Sequence, residues 1–321
     1  GFYRVKYDEG ILLDLKMLVD QKRIPPIDRW AIQNDLFSLC VSGDEQVRNY
    51  LDFSDAYFDE DSYLASVNVA HNLASLYFRA FDEKFIEEIR SYAINYFRKI
   101  LSNLGWEPQK SDKHTDALLR TFTIAVLGKM NDDAVTVEAI KKYHKFLKSP
   151  SSLSPDLIET ICSIAAWNGN SKTFAELKKL YTNAKTMEEK LRFLGAMCGF
   201  QDKKLLVKTL DFSQTSAVRS QNMQLPIMKI AGNPYGDKVL WSWLKKNWKK
   251  INKKVGHGNP LFNRIVASIT GVADDSMEKE IKLFFKNNPT PGTERTQSQT
   301  LERIRINSKF LRTMRKEFKN G

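Results

Sequence analysis

The recurrence of apolar side chains at steps of three and four residues is the feature that most restricts how this chain can fold. Two such series follow each other between residues 60 and 104. The first consists of Tyr63, Val67, Ala70, Leu73 and Tyr77, and the second of Phe85, Ile89, Tyr92, Tyr96 and Ile100. This spacing places the side chains on one face of an α-helix. The sequence therefore predicts two consecutive helices, with Asp82 as the N-cap of the second and Gly105 at its end.

Glycine and proline are scarce, since together they make up 25 of the 321 residues, below the usual combined usage of about 12 %. All-β folds need such residues in their turns, so the composition favours helices. Further predicted helix starts are Asp28 after Pro25-Pro26, Ser154-Pro155, and the pair Thr186 and Glu189 with capping-box spacing. Helix pairs recur at a pitch of roughly 30–45 residues, which predicts an all-α, HEAT/armadillo-like α-superhelical (solenoid) domain.

The first residues do not follow the helical pattern. GFYRVKYD alternates in the manner of a strand end, and a lone strand is not stable by itself. The chain also begins with Gly1 rather than Met. We therefore predict that residues 1–9 are a short N-terminal strand segment linking to an upstream sheet, that residues 10–321 form one helical domain, and that the chain is cut from a longer protein.

The net charge of +12 is unevenly distributed. Residues 1–202 carry a net charge of −3, whereas residues 203–321 carry +15. A basic half indicates an anionic partner such as nucleic acid, anionic lipid or peptide carboxylates, or else a solvated helical surface. Two basic segments contribute to the positive charge of this half. In the first, residues 238–250, the stripe of Trp241, Leu244 and Trp248 is predicted to be core. The second is the last helix, which has a basic face but no nucleic-acid-binding motif.

Cofactor and compartment signals are sparse. None of His71, His114, His144 and His257 lies in H-E-x-x-H, and there is no C-x-x-C, P-loop, G-x-G-x-x-G or G-x-S-x-G motif. The chain by itself is thus predicted to be non-catalytic and to hold no metal. Three cysteines in apolar settings predict buried free thiols and a reducing, cytoplasmic location. No segment approaches the length of a membrane span.

The segment 104–120, LGWEPQKSDKHTDALLR, is less ordinary. A turn and a polar loop lead into a helix predicted to begin at Asp112 or Thr115. His114, Asp116 and Arg120 lie on it, and the last two are four residues apart, which allows them to pair. The pair is either an ordinary ion pair at a helix start, or it holds Arg120 toward a cavity where it would receive a carboxylate or carbonyl.

Five motifs in one order resemble the C-terminal helical domain of M1-family zinc aminopeptidases, most closely the puromycin-sensitive and tricorn-interacting-factor branch. They are GFYRVKYD at 1–8, PPIDRWAIQNDLFSL at 25–39, LGWEPQKSDKHTDALLR at 104–120, GNPYGDKVLWSWLKKNW at 232–248 and TERTQSQTLERIRINSKFLR at 293–312. The resemblance implies upstream catalytic and β domains, with zinc bound through an H-E-x-x-H motif that this chain lacks. It also implies that the strand segment leaves a small β-sandwich and that the helical domain forms a bowl over the active site.

The resemblance further implies substrate-binding positions. Arg120 lies in the best-matching motif, together with Asp116 and His114. In the endoplasmic-reticulum trimming members a basic residue near the position of Arg79 helps to hold the peptide's C-terminal carboxylate. This chain has Phe78 where those members place a Tyr, and Gly199 where they place an Arg.

The sequence thus predicts a non-catalytic domain that walls the substrate chamber and helps to govern peptide access in a cytoplasmic zinc aminopeptidase. The enzyme would trim N-terminal residues from peptides. Two alternatives stay open: a stand-alone HEAT-like scaffold that binds an acidic protein, and a basic helical protein that binds nucleic acid.

Overall fold

The computed structural model describes residues 3–255, 260–271 and 275–319. Within these ranges the fold is all-α, with sixteen α-helices and no β-strand, as the helical periodicity predicts. The helices are α1 (Glu9–Asp20), α2 (Pro26–Ser42), α3 (Val47–Ser54), α4 (Tyr63–Arg79), α5 (Ile86–Leu104), α6 (His114–Lys129), α7 (Asp133–Lys148), α8 (Pro155–Trp167), α9 (Ser171–Asn183), α10 (Met187–Ala196), α11 (Lys203–Ser213), α12 (Gln224–Ala231), α13 (Asp237–Val255), α14 (Pro260–Ala267), α15 (Asp275–Asn287) and α16 (Glu294–Glu317). Five short 3-10 segments lie between them.

Several helix boundaries follow the local signals in the sequence. The hydroxyl of Thr186 accepts from the backbone N–H of Glu189, whose carboxylate in turn accepts from the N–H of Thr186, so the predicted capping box is confirmed. α8 begins at Pro155 after Ser154, also as predicted. α5 ends before Gly105, whose φ of 66° lies in the left-handed region that favours glycine.

Two predicted helix starts are wrong. α2 begins at Pro26 rather than at Asp28, because proline suits the first position of a helix, where no intrahelical N–H bond is needed. Asp82 does not cap α5, which begins four residues later at Ile86. The chain between α4 and α5 forms two successive turns, in which the N–H of Glu83 donates to Ala80 and the N–H of Ile86 donates to Glu83.

The described part of the predicted strand segment, residues 3–8, does not form a strand. A strand needs a neighbouring ladder, and residues 3–8 are held instead by side chains. Asp35 accepts from the Arg4 guanidinium at 2.6 Å and from the Val5 N–H at 3.2 Å. Asp8 then caps α1 by accepting from the N–H of Ile11 at 2.9 Å. Gly1 and Phe2 lie outside the described residues.

The chain divides into two compact units. Unit 1 comprises Gly1–Met130 and Ile306–Gly321, and unit 2 comprises Asn131–Arg305. In unit 1, α4 packs against α2, α5 and α6, and α5 packs against α6. In unit 2, α8 packs against α7 and α10, α9 against α10, and α13 against α11 and α12. Packing of each helix against its near neighbours in the chain is typical of helical repeats. That residues 10–321 act as one domain stays a prediction.

The core of unit 2 contains the tryptophan stripe that the pattern of α13 assigns to it. Trp241, Leu244 and Trp248 are buried in unit 2, as predicted. All three cysteines are free and buried, and burial raises the pKa of the Cys40 and Cys162 thiols well above its usual range. Thiols of this kind are unreactive packing residues. Among the described residues, no helix combines the length and the hydropathy needed to cross a bilayer.

Candidate functional site

Arg120 joins the end of α5 to the loop that precedes α6. Its side chain is 1 % exposed. Nε donates to the carbonyl of Gly105 at 3.1 Å, and Nη2 donates to the carbonyl of Leu104 at 2.9 Å and to the Asp112 carboxylate at 2.6 Å. A cation at these carbonyls also complements the negative end of the α5 dipole. Arg120 therefore locks the loop onto the helix, and only its Nη1 is buried without a hydrogen-bond partner.

Asp112, not Asp116, is the carboxylate that pairs with Arg120. Asp112 also accepts from the N–H of Gln109 at 2.8 Å, and this hydrogen bond and the Arg120 guanidinium hold the pKa of the carboxyl below its usual range. Asp116 instead accepts from the N–H of Lys113 at 2.9 Å and so caps α6. α6 begins at His114, between the two predicted starts, because this cap requires Lys113 at the N-cap position.

His114 is exposed in the first turn of α6. No hydrogen bond or ion pair joins it to Asp116 or Arg120 within the part of the chain that the structure describes. The three predicted residues thus share one helix, but the structure does not assemble them into one group. Their role in substrate binding stays a prediction.

Arg79 lies at the last position of α4 and is held by neutral groups. Its Nε donates to the Ser75 hydroxyl at 3.1 Å, its Nη1 donates to the side-chain oxygen of Asn307 on α16, and its guanidinium lies 5.8 Å from the centre of the Phe310 ring. Among the described residues, Arg79 forms no ion pair with a carboxylate. Of the two arginines among the predicted site residues, Arg79 is therefore the one without a carboxylate partner among the described residues, since Arg120 is paired with Asp112.

Burial lowers the pKa of the Arg79 guanidinium, because a charged group loses hydration there. Arginine nevertheless keeps its charge in proteins. The result is a half-buried cation that no carboxylate of the described residues compensates. A group of this kind can receive a carboxylate through two charge-assisted hydrogen bonds. Beside it, Phe78 packs against Lys129, whose ammonium lies 5.6 Å from the ring centre.

The sequence pattern could not have identified two of the residues that contact Arg79. Asn307 and Phe310 reach Arg79 from 228 and 231 positions away in the chain, and no local spacing encodes that approach. Asp112 was closer at hand, because it lies only eight residues before Arg120, in the same loop and helix start.

The next feature is the set of described side chains that could ligate zinc. No group of three or more His, Cys, Asp and Glu residues there is arranged to hold a metal ion. The imidazole ring of His71 packs against the Phe122 ring, with 4.3 Å between the ring centres, and burial lowers the pKa of this imidazole. His257 lies outside the described residues. The described side chains therefore do not fit a catalytic zinc.

Comparison with known proteins gives consistent matches along the whole chain. The family model described as "ERAP1-like C-terminal domain" matches residues 1–306. Aminopeptidase M1-D of Oryza sativa subsp. japonica is 29 % identical over 99 % of the chain, and Aminopeptidase M1 of Arabidopsis thaliana is 26 % identical over 99 %. Aminopeptidase 2 of Candida albicans is 24 % identical over 97 %. The chain spans 37 %, 37 % and 34 % of the length of these three relatives.

Proposed function

The chain belongs to the ERAP1-like C-terminal domain family, and from this membership we propose that it is the C-terminal helical domain of a zinc aminopeptidase that removes N-terminal residues from peptides. The match over residues 1–306 carries the proposal. The M1 aminopeptidase relatives confirm the sequence resemblance, and they match nearly all of this chain with little more than a third of their own length. The remaining length of such a protein would contain the catalytic and β domains, which are the proposed partners of this chain.

In this proposal the helical domain contributes no reacting group. Zinc would activate the attacking water elsewhere in the protein, and these helices would wall the substrate chamber and limit the access of long peptides. Basic side chains facing that chamber would attract peptide carboxylates, which changes capture and length preference rather than the hydrolytic step. A cytoplasmic location is part of the same proposal and is supported by the three free thiols.

Hydrolysis tests the catalytic half of this proposal. The purified 321-residue chain is expected to leave aminoacyl-amide substrates intact with added zinc, because its described side chains offer no zinc ligand set. Fluorogenic release of the amide leaving group measures this directly. Turnover that needs zinc and is abolished by a chelator would contradict the assignment.

The gene gives an independent test. We expect the reading frame upstream of Gly1 to encode an H-E-x-x-H motif about 200 residues or more before it, as the length of a catalytic domain requires. An initiator Met directly before Gly1 would instead support a stand-alone helical scaffold. This result and the hydrolysis assay together separate an inactive domain of an enzyme from an unrelated helical protein.

We further propose that Arg79 binds the C-terminal carboxylate of a peptide. The neutral oxygens of Ser75 and Asn307 orient its guanidinium without neutralising it. A carboxylate would be the first anionic partner of this cation, and charge-assisted hydrogen bonds are about twice as strong as neutral ones. The aminopeptidase proposal can hold even if this detail fails, since walling a chamber does not require it.

Peptide binding is expected to report the role of Arg79. A peptide with a free C-terminus should bind the chain about tenfold more tightly than its C-terminal amide, since a hydrogen bond to a charged group contributes about 1.5–3 kcal/mol. The R79Q variant should bind both peptides equally, whereas R23Q, at an exposed arginine after α1, should keep the difference. Fluorescence anisotropy measures the four affinities. Equal affinity of the two peptides for the unmodified chain would exclude the carboxylate site.

A further inference from the structure

A row of lysines occupies the exposed side of α13 in unit 2. Lys246, Lys249, Lys250 and Lys253 follow one another at steps of three, one and three residues, so their side chains share one face of the helix. All four are exposed. The helix also carries buried side chains, most of them on the opposite face, that are at most 4 % exposed, namely Leu240, Trp241, Trp243, Leu244, Trp248 and Ile251. We call the four exposed residues the lysine row.

The lysine row has no counter-charge of its own. Within the described part of the chain, none of its ammonium groups forms an ion pair or a side-chain hydrogen bond. Lys245 on the same helix differs, because it pairs with Glu280 of α15. The only acidic residue of α13 is Asp237, in its first turn. The positive charge of the row is therefore left for a group outside this unit.

The arrangement also works against the stability of the helix. Like charges three and four residues apart repel each other, and the row contains two pairs of each kind. The repulsion extends to Lys254, whose pKa is lowered by burial and by the neighbouring charge of Lys250. A surface that only kept the protein soluble would gain from interspersed acidic residues. Four uncompensated lysines on one face are instead typical of a binding surface.

We propose that the lysine row is a docking surface for an acidic polypeptide segment. Charge complementarity selects an anionic partner. Lysines four positions apart are separated by about 6 Å along the helix, close to the spacing of about 6.6 Å between side chains on the same side of an extended peptide. Alternate carboxylates of an acidic segment can therefore meet Lys246 with Lys250, and Lys249 with Lys253.

Two other anionic partners fit the surface less well. Single-stranded nucleic acid is bound through exposed aromatic rings and Arg guanidinium groups, but α13 contains no Arg and its three tryptophans are buried. A helix that lies on a membrane inserts an exposed apolar face, and α13 has no exposed large hydrophobic residue. An acidic polypeptide needs neither of these features. The inference does not depend on the proposed aminopeptidase function.

Binding of a labelled poly-L-glutamate to the purified 321-residue chain tests the proposal. The row variant K246Q/K249Q/K250Q/K253Q should lose affinity by about tenfold or more, because four ionic contacts are removed. The control variant K145Q/K148Q/K179Q/K204Q removes the same charge from exposed lysines elsewhere in unit 2 and should change the affinity less than about twofold. Affinity for the unmodified chain should fall steeply between about 50 and about 200 mM salt.

The melting temperature and two competing probes complete the test. The row variant should melt at or above the temperature of the unmodified chain, since repulsion is relieved; this excludes loss of binding through unfolding. Equal losses in the row and control variants would overturn the proposal. So would tighter row-dependent binding of an oligouridylate of equal charge, or of phosphatidylserine vesicles, because the partner would then be nucleic acid or a membrane.

Discussion

Replacement of Phe310 by alanine is expected to lower the free energy of unfolding of unit 1 by about 3–5 kcal/mol. Phe310 lies on α16 and is fully buried, at 0 % exposure. Its ring faces the Arg79 guanidinium of α4. Truncation removes the apolar area of the ring and leaves a cavity that the surrounding helices cannot fill without moving. The loss also removes the support under the proposed carboxylate-binding residue.

Other contacts of the C-terminal segment also hold it to unit 1. Glu317 accepts from the backbone N–H groups of Val47 and Arg48 at 3.0 and 2.7 Å, so it caps α3 from 270 residues away. Phe318 stacks on Phe85 with 4.7 Å between ring centres. Residues 306–319 are thus an integral part of unit 1, although the family match ends at residue 306.

Hydrogen exchange of the α3 and α4 amides during urea titration measures the effect on unit 1 itself. The variant I306A is the matched control, since Ile306 is on the same helix but 42 % exposed, and it should change the free energy by less than about 1 kcal/mol. A chain that ends at Arg305 should lose protection in α3 and α4 altogether. If the free energy of unfolding of unit 1 in F310A stays within about 1 kcal/mol of that of the unmodified chain, the ring of Phe310 does not make the proposed contribution to unit 1.

Features that depend on residues within one or two helical turns could be predicted from the sequence more fully than contacts between distant residues. The capping box of Thr186 with Glu189 and the glycine after α5 act within one helical turn, so their spacing in the sequence suffices to predict them. The buried tryptophan stripe of α13 follows from a periodicity of similar range. The family resemblance then placed the chain in one particular family of helical domains, which local patterns could not do alone.

The site residues were less predictable, because their partners come from other elements. Asp116 has the correct spacing to pair with Arg120, but the N–H of Lys113 is left without an intrahelical partner and takes the carboxylate instead. Arg79 was found through the resemblance, and its contact with Asn307 depends on how α16 packs. A pattern reports which face a residue occupies, whereas packing decides what that face meets.

Removal of Arg29 is expected to be as destabilising as the loss of Phe310, for an electrostatic reason. Its guanidinium binds both oxygens of Glu60, at 2.6 and 2.8 Å, and also the carbonyl of Ile24 at 2.9 Å. The side chains are only 4 % and 0 % exposed. Hydrogen bonding to Glu60 raises the pKa of Arg29 and offsets the effect of burial. The pair therefore holds two charges that water cannot reach.

The variants R29M and E60L should each destabilise unit 1. The loss for R29M should be about 3–5 kcal/mol, because it leaves the Glu60 carboxylate buried without its counter-charge. The double variant R29M/E60L should lose less than R29M alone, since neither charge then has to be desolvated. D61N is the control: Asp61 also accepts from Arg29, but it is 64 % exposed, and an exposed pair contributes about 1 kcal/mol or less. Urea titrations of the four variants give the coupling between positions 29 and 60. If the losses of unfolding free energy at the two positions are additive, the pair is not tightly coupled, because removing one charge would then not destabilise the other.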